Sequence, residues 1–417
     1  MLHHFRPALC ILTLALGLGS CTASARGTRP PQDPIDYVDP HVGGISHLLV
    51  PTFPTVHLPN GMMRVHPQRT DYATEQIAGL PLILTSHRGV SAFHLSPRRS
   101  LRDSIPEVTA YSYDDEQVRP YHYSAFLVEP EISVDFAPAY RSAIYHLRFE
   151  GEKDGRHLVF STDKGELVAS GKSLFGYQQL EDSTKVYIYG EFNVEPQRLG
   201  LRDQQTGRVT PATGVARGKA LTFTFAQSDV AMRYGISYIS IEQAKRNVLK
   251  EIQAFEVDLV AKFGRNEWSK ALDKIQLEGG TEAERRVFYT SLYRTYERMI
   301  CFSEEGSYWS AYDKKVHEDG GVPFYTDDWL WDTFRATHPL RILLDPVKEQ
   351  QMLTSYLRMA KQSPEGWLPT FPEVTGDTHR MNGTHTIAPF ADAYAKGVTG
   401  FNLSAAYTAS KKTLEEK

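Results

Sequence analysis

The chain has few of the features that would mark a specialised class. It has 417 residues and only three cysteines, Cys10, Cys21 and Cys301, too few for a disulfide scaffold. Basic residues number 46 against 50 acidic, a formal net charge of -4. Nucleic-acid binding wants a basic patch or stripe, so this balance argues against it. Beyond the first 25 residues no run is apolar for the ~20 residues that a membrane helix needs. There is no P-loop, GxSxG elbow, CxxC or HExxH motif, so nucleotide binding, hydrolase-elbow chemistry and the common zinc sites lack support. What is present is an ordinary globular composition, 41% hydrophobic and 23% charged, with length for roughly two to three domains of ~150 residues.

Residues 1–21, MLHHFRPALCILTLALGLGSC, begin with a short basic stretch and continue with an apolar run from Ala8 to Leu18. The run is too short to span a bilayer and reads as an export signal. Leu18-Gly19-Ser20-Cys21 also resembles a bacterial lipobox, with Cys21 as the lipidated residue. On that reading the protein is an exported envelope lipoprotein of the outer membrane or periplasm, touching membrane only through its N-terminal anchor. A plain secretory signal with an incidental cysteine is the alternative. Residues 22–36 form a linker.

Residues 37–239 read as β. Runs such as AFLVEPEISVDFAP, KVYIYGEF and MRYGISYISI concentrate β-branched and aromatic residues between turn signals, the pattern of an all-β sandwich. At Ser240 the period changes. Ala244, Val248, Ile252, Phe255, Leu259 and Phe263 recur at three- and four-residue steps, predicting about six turns of helix. Ser240 and Gln243 would cap its start and Gly264 its end, making 240–280 a helical linker. From Thr281 onward the sequence is predominantly helical. Thr281-x-x-Glu284 caps a helix with an apolar face of Phe288, Leu292, Thr295 or Tyr296, and Met299. Further helices are expected near 329–343, 346–361, 384–396 and 401–414.

Three segments carry groups suited to chemistry. Residues 323–344 hold Asp327, Asp328 and Asp332 beside Trp329 and Trp331, an acidic, aromatic-walled patch of the kind that binds sugars. Asp328 also suits a helix N-cap. Residues 366–397 form a Pro- and Gly-rich loop opening onto a helix, with Trp367, Glu373, Asp377, His379, Arg380, Asn382 and His385. Residues 37–67 carry His41, His47, His57 and His66. Their spacings of six, ten and nine match no defensible metal motif, which leaves metal ligands unassigned and favours structural or substrate-contacting histidines.

Taken in order, DPHVGG…TFPTVHLPNGMMRVHP, ISYISIEQAKRNVLKEI…KIQLEGGTEAERRVFYTSLYRT, WLWDTFRATHPL and GWLP…M.G.H…ADAYAKG resemble glycoside hydrolase family 92, calcium-dependent exo-α-mannosidases. The likeness runs from about Tyr37 to Asn402. It implies a β-sandwich, a helical linker and, over 281–417, the first part of an (α/α)6 barrel. It also implies Ca2+ as cofactor and an oligosaccharide or glycoprotein glycan of N-linked type as substrate. In an inverting glycosidase one carboxylic acid protonates the leaving oxygen while a second carboxylate activates water. The family's acid, a glutamate, aligns without gaps to Asp377; Glu373 is the other candidate, one gap away. Asp332 is carried over as a sugar-hydroxyl contact, with Trp331, Asp328, Trp367, His385 and His47 lining the site. The glycine-rich loop near the N-terminus departs from the family as GlyGlyIleSerHisLeuLeuVal. About five helical segments follow Thr281, where a complete barrel has twelve. The resemblance further implies that the general base and much of the calcium site lie beyond the region matching Asn402, so these 417 residues are expected to be inactive alone. A carbohydrate-binding envelope lipoprotein without turnover, or a non-functional remnant, are the rival expectations.

Overall fold

The computed structural model describes residues 33–45, 52–69, 74–86, 90–102, 105, 106 and 108–417. The expected export segment, with Cys10 and Cys21, and the site candidate His47 lie outside the described residues. No helix among the described residues is long and apolar enough to cross a membrane.

Alternation shapes the first half. Along Ile132–Pro138, Ile132, Val134 and Phe136 are buried while Ser133 and Asp135 are only half-buried, the period-two signature of a strand with one face inward. Such strands build a ten-stranded and a six-stranded sheet. In the larger, Asp229–Ser237 lies antiparallel between Ser142–Phe149 and Lys185–Phe192. The sheets face one another as a sandwich. Phe192 of the larger sheet meets Phe160 and Phe223 of the smaller at ring-centroid distances of 5.9 and 4.9 Å. Tyr145 and Tyr234 reach across and donate to the carbonyl oxygens of Pro81 (3.0 Å) and Leu82 (2.8 Å). A buried hydroxyl left unpaired costs about 1–3 kcal/mol, so these bonds let two tyrosines stay in an otherwise apolar core.

Eight α-helices follow: α1 (Ile241–Glu251), α2 (Val257–Leu272), α3 (Glu282–Thr295), α4 (Leu330–Thr333), α5 (Thr337–Leu344), α6 (Pro346–Gln362), α7 (Ile387–Ala395) and α8 (Leu403–Glu416). The expected single helix after Ser240 is in fact two. The chain leaves helical geometry at Ile252, with φ -128° and ψ 99°. Ile252, Val257 and Val260 all bury against Ala137, Ile144 and Tyr189 of the sheet, whereas Leu259 and Phe263 are exposed. One straight stripe does not serve both helices, because each must lie on a twisted sheet in its own direction. Gly264 does not end a helix. It sits inside α2, where a Cβ would stand 2.9 Å from that of Tyr121. Gly235 plays the same role under α1, since a Cβ there would lie 2.3 Å from the Ala244 carbonyl oxygen.

The caps follow the sequence more closely. Ser240 Oγ accepts from the Gln243 amide at 3.1 Å, although the Gln243 side chain turns to Asn247 instead of back to the cap. Thr281 and Glu284 form both bonds of a capping box. The buried face of α3 is Tyr289, Leu292 and Tyr293, one residue round from the expected Phe288. It packs with Trp268, whose indole donates to the His57 carbonyl at 2.7 Å.

The region expected at 329–343 as one helix is split into α4 and α5. Short hairpins also interrupt the helical half, Ser307–Ser310 with Lys315–Glu318 and Pro372–Glu373 with Gly376–Asp377. From the first of these, Trp309 donates to Thr184 Oγ1 at 3.2 Å. Residues Asp33–Lys417 thus make one unit, with the sandwich and the helices sharing a hydrophobic core.

Candidate active site

The acidic turn begins where the strand Tyr325–Thr326 ends. Asp327 adopts a left-handed backbone, φ 66°, which aspartate tolerates better than most residues. Its side chain and that of Asp328 have separate sets of partners. Asp327 pairs with Arg64, 2.5 Å from Nη2, which comes from a small two-stranded sheet of the β domain, and with Arg298. Arg298 also lies over the Trp329 ring, 3.9 Å from its centroid. Asp328 accepts from the His338 ring Nε2 at 2.9 Å and from the Tyr356 hydroxyl. Its other oxygen accepts from the Trp329 amide (2.8 Å) and the Thr333 hydroxyl (3.0 Å), bracketing α4. On that turn Trp331 and Asp332 face solvent.

Asp328 therefore departs from its expected place. It is 1% exposed with both oxygens engaged, so it holds the turn from beneath and does not meet a sugar. The reason is tertiary: α5 and α6 bring His338 and Tyr356 to the position where a surface cap would have faced water.

His338 joins two acids. Its Nδ1 lies 2.8 Å from Glu349 Oε1, and Arg341 stands 3.5 Å from the other oxygen of Glu349. Burial alone would push the imidazolium to lose its proton, but Glu349 and Asp328 outweigh it and raise the His338 pKa to about 9. Burial likewise opposes the charge on Asp328, yet the bond and charge of His338 and the Tyr356 hydroxyl hold it at about 2. Two carboxylates and two cations then balance inside a closed network, which is how buried charge is tolerated.

The loop following α6 is stitched to this turn. The Asp328 amide donates to the Pro372 carbonyl at 2.8 Å, and Thr326 Oγ1 donates to that of Glu373 at 3.2 Å. Glu373 is buried and paired with Arg380 Nε at 2.9 Å. His385 stacks on Phe334 at 4.4 Å between centroids, which brings it beside the turn carrying Trp331 and Asp332. Trp367 and Asp377 meet elsewhere, in the wall of a cavity of about 260 Å³ shared with Tyr312, Glu365, His379 and Lys417. The Tyr312 hydroxyl and the Trp367 indole nitrogen have no hydrogen-bond partner there. Asp377 accepts from the amides of Thr370 (2.7 Å), Phe371 (2.8 Å) and His379 (3.2 Å). Both its oxygens are taken by the backbone, so in this conformation it staples the loop.

The sequence reading missed Arg64, Arg298, His338, Glu349 and Tyr356. No periodic pattern reports an ion pair between residues on separate elements, and a lone histidine in HPL offers no signal of burial. Among the described residues no group of three or more His, Cys, Asp or Glu side chains is arranged to hold a metal ion. They do not by themselves make up the calcium site that the resemblance implies.

Comparison with known sequences decides the family. A model of the N-terminal domain of glycosyl hydrolase family 92 matches residues 37–237, and a model of its catalytic domain matches residues 243–417. The chain belongs to glycosyl hydrolase family 92. Its fold is similar to that of an inverting mannosidase of the family from Bacteroides thetaiotaomicron, with TM-score 0.80 at 24% identity over 92% of this chain and 55% of the other. A family 92 α-mannosidase from the same organism gives TM-score 0.83 at 22% identity, over 93% of this chain and 58% of that one. It has also been solved in complex with mannoimidazole. An uncharacterised secreted glycosidase of Arthroderma benhamiae is 23% identical over 344 residues, 73% of this chain and 40% of its own length. The chain spans about half the length of the relatives it matches.

Proposed function

We propose that the protein acts as an inverting exo-α-mannosidase on glycans of the N-linked type. The observation that carries this reading is the solvent-facing pair Trp331 and Asp332, on a turn fixed from below by a buried ionic network. An indole face receives the apolar face of a pyranose, and a carboxylate accepts from its hydroxyls. Asp332, Trp331 and His385 would hold the terminal sugar, with Trp367 near the loop carboxylates. The likeness to family 92 mannosidase structures supports the substrate class. Export belongs to the same proposal, supported by the signal-like start and by the secreted relative, with Cys21 as the lipid attachment point.

Asp377 stands where the resemblance puts the acid. In this structure its oxygens accept the amides of Thr370, Phe371 and His379, so the same carboxyl also holds its own loop. That loop-holding role favours a second reading, glycan binding without turnover. The deciding assay compares release of mannose from an α-mannobiose and from an activated aryl α-mannoside, by the native chain and by Asp377→Asn. If Asp377 is the acid, the variant loses far more activity on the disaccharide than on the aryl substrate. Equal loss on both removes Asp377 from that role. Binding by the native chain with no release of sugar supports the second reading.

A further inference from the structure

Asp327 and Asp328 are adjacent in sequence, yet one is held from the β domain and the other from the helices. We propose that the two aspartates form a two-sided clamp on the turn bearing Trp331 and Asp332, with Arg64 and His338 as its positioning residues. The ligand-binding part of this inference rests on the glycosidase reading; the clamp itself rests on geometry.

On one side Arg64 comes from the short strand Arg64–Val65, which pairs with Val56–His57 and is rooted in the core. It is 2% exposed, and of its guanidinium only Nη2 is engaged with the Asp327 carboxylate. Arg298 approaches the same oxygen of Asp327 and covers the Trp329 ring. The β domain thus grips the start of the turn through Arg64 and Asp327, and Arg298 extends the grip to Trp329. On the other side the ring of His338 is anchored to α6 by Glu349 and presents its second nitrogen to Asp328. Asp328 passes the constraint on through a single oxygen, which ties the Trp329 amide to the Thr333 hydroxyl. Trp331 and Asp332 lie between those two anchor points. A site residue displaced by about 1 Å can lose orders of magnitude in function, so two buried supports beneath an exposed turn set the precision with which it meets a ligand. The β domain then shapes the site with a residue that need not touch substrate.

The test labels the protein with 5-fluorotryptophan, assigns the Trp331 resonance with Trp331→Phe, and measures mannoimidazole affinity by calorimetry. The variants are Arg64→Met with Asp327→Asn, which removes the Arg64–Asp327 pair and leaves Arg298 facing a neutral amide, and Tyr356→Phe, which removes one bond to Asp328 and keeps the ring. Asparagine also accepts the left-handed backbone at 327. The Trp309 resonance, on the hairpin against Thr184, reports that the fold is intact. The expected result is a shifted or broadened Trp331 signal, an unchanged Trp309 signal and affinity down by about tenfold or more. An unchanged Trp331 signal and unchanged affinity, with only the melting temperature lowered, would overturn the clamp and leave the glycosidase reading standing. If the native chain does not bind mannoimidazole, the glycosidase reading fails for this chain, and the fluorine spectra alone decide the clamp.

Discussion

The charge on His338 is the most exposed of these arguments to experiment. In the folded chain its pKa is raised from 6.5 to about 9. A raised value means that the folded state holds the proton more tightly. The stabilisation is therefore complete below about pH 6.5 and disappears as pH rises through about 9. The gap of about 2.5 units at ~1.4 kcal/mol each gives about 3 kcal/mol. His338 is fully buried, so solvent screening does not erode this figure as it does at surface pairs. The perturbation is His338→Gln, and the assay is urea unfolding followed by tryptophan fluorescence near pH 6 and near pH 10. At the lower pH the variant leaves Asp328 and Glu349 without their shared cation and loses about 3–5 kcal/mol. Between the two pH values the native chain loses about 3 kcal/mol more than the variant. Other groups titrate over this range, but they do so in both proteins and cancel in the difference. Equal losses in native and variant chains would show that His338 is not charged in the folded state, and the network as described would be wrong.

His57 and His66 carry the opposite sign: burial lowers both to about 4, so the stability they contribute is present above about pH 6.5 and is lost as pH falls through about 4. Acid titration of His57→Gln should show a shallower loss over that window than the native chain; an identical slope would refute it. Gly235→Ala puts a methyl 2.3 Å from the Ala244 carbonyl and should cost about 1–3 kcal/mol by lifting α1 from the sheet, measured by denaturant unfolding. Trp331→Ala removes a side chain that is 49% exposed, so stability should stay within about 0.5 kcal/mol while mannoimidazole binding is lost. Retained binding would take Trp331 out of the site.

Much of the architecture was legible in local patterns. Period-two alternation in segments such as Ile132–Pro138 marks a strand whatever its partners, and the Thr281–Glu284 box marks a helix start because both bonds are local. The break at Ile252 was not legible, since the apolar steps from Ala244 to Phe263 continue through it. What ends the helix is the need of Ile252 and Val257 to reach the same sheet. The candidate site divides in the same way. Trp331 and Asp332 stand out in the sequence as an indole beside an acid, but only the structure shows that both face solvent. Asp328 and Asp377 could not be judged from composition.

By itself, then, the sequence determined the family and the sandwich-then-helices order, both of them properties of contiguous segments. Only the tertiary structure decided which carboxylates face solvent and which are buried in networks. Asp328 is consumed by His338 and Tyr356, 10 and 28 residues away, and Asp327 by Arg64 of the β domain. Asp377 is occupied by backbone amides of its own loop. A buried charge must find its partners wherever packing brings them, and no spacing along the chain records that choice.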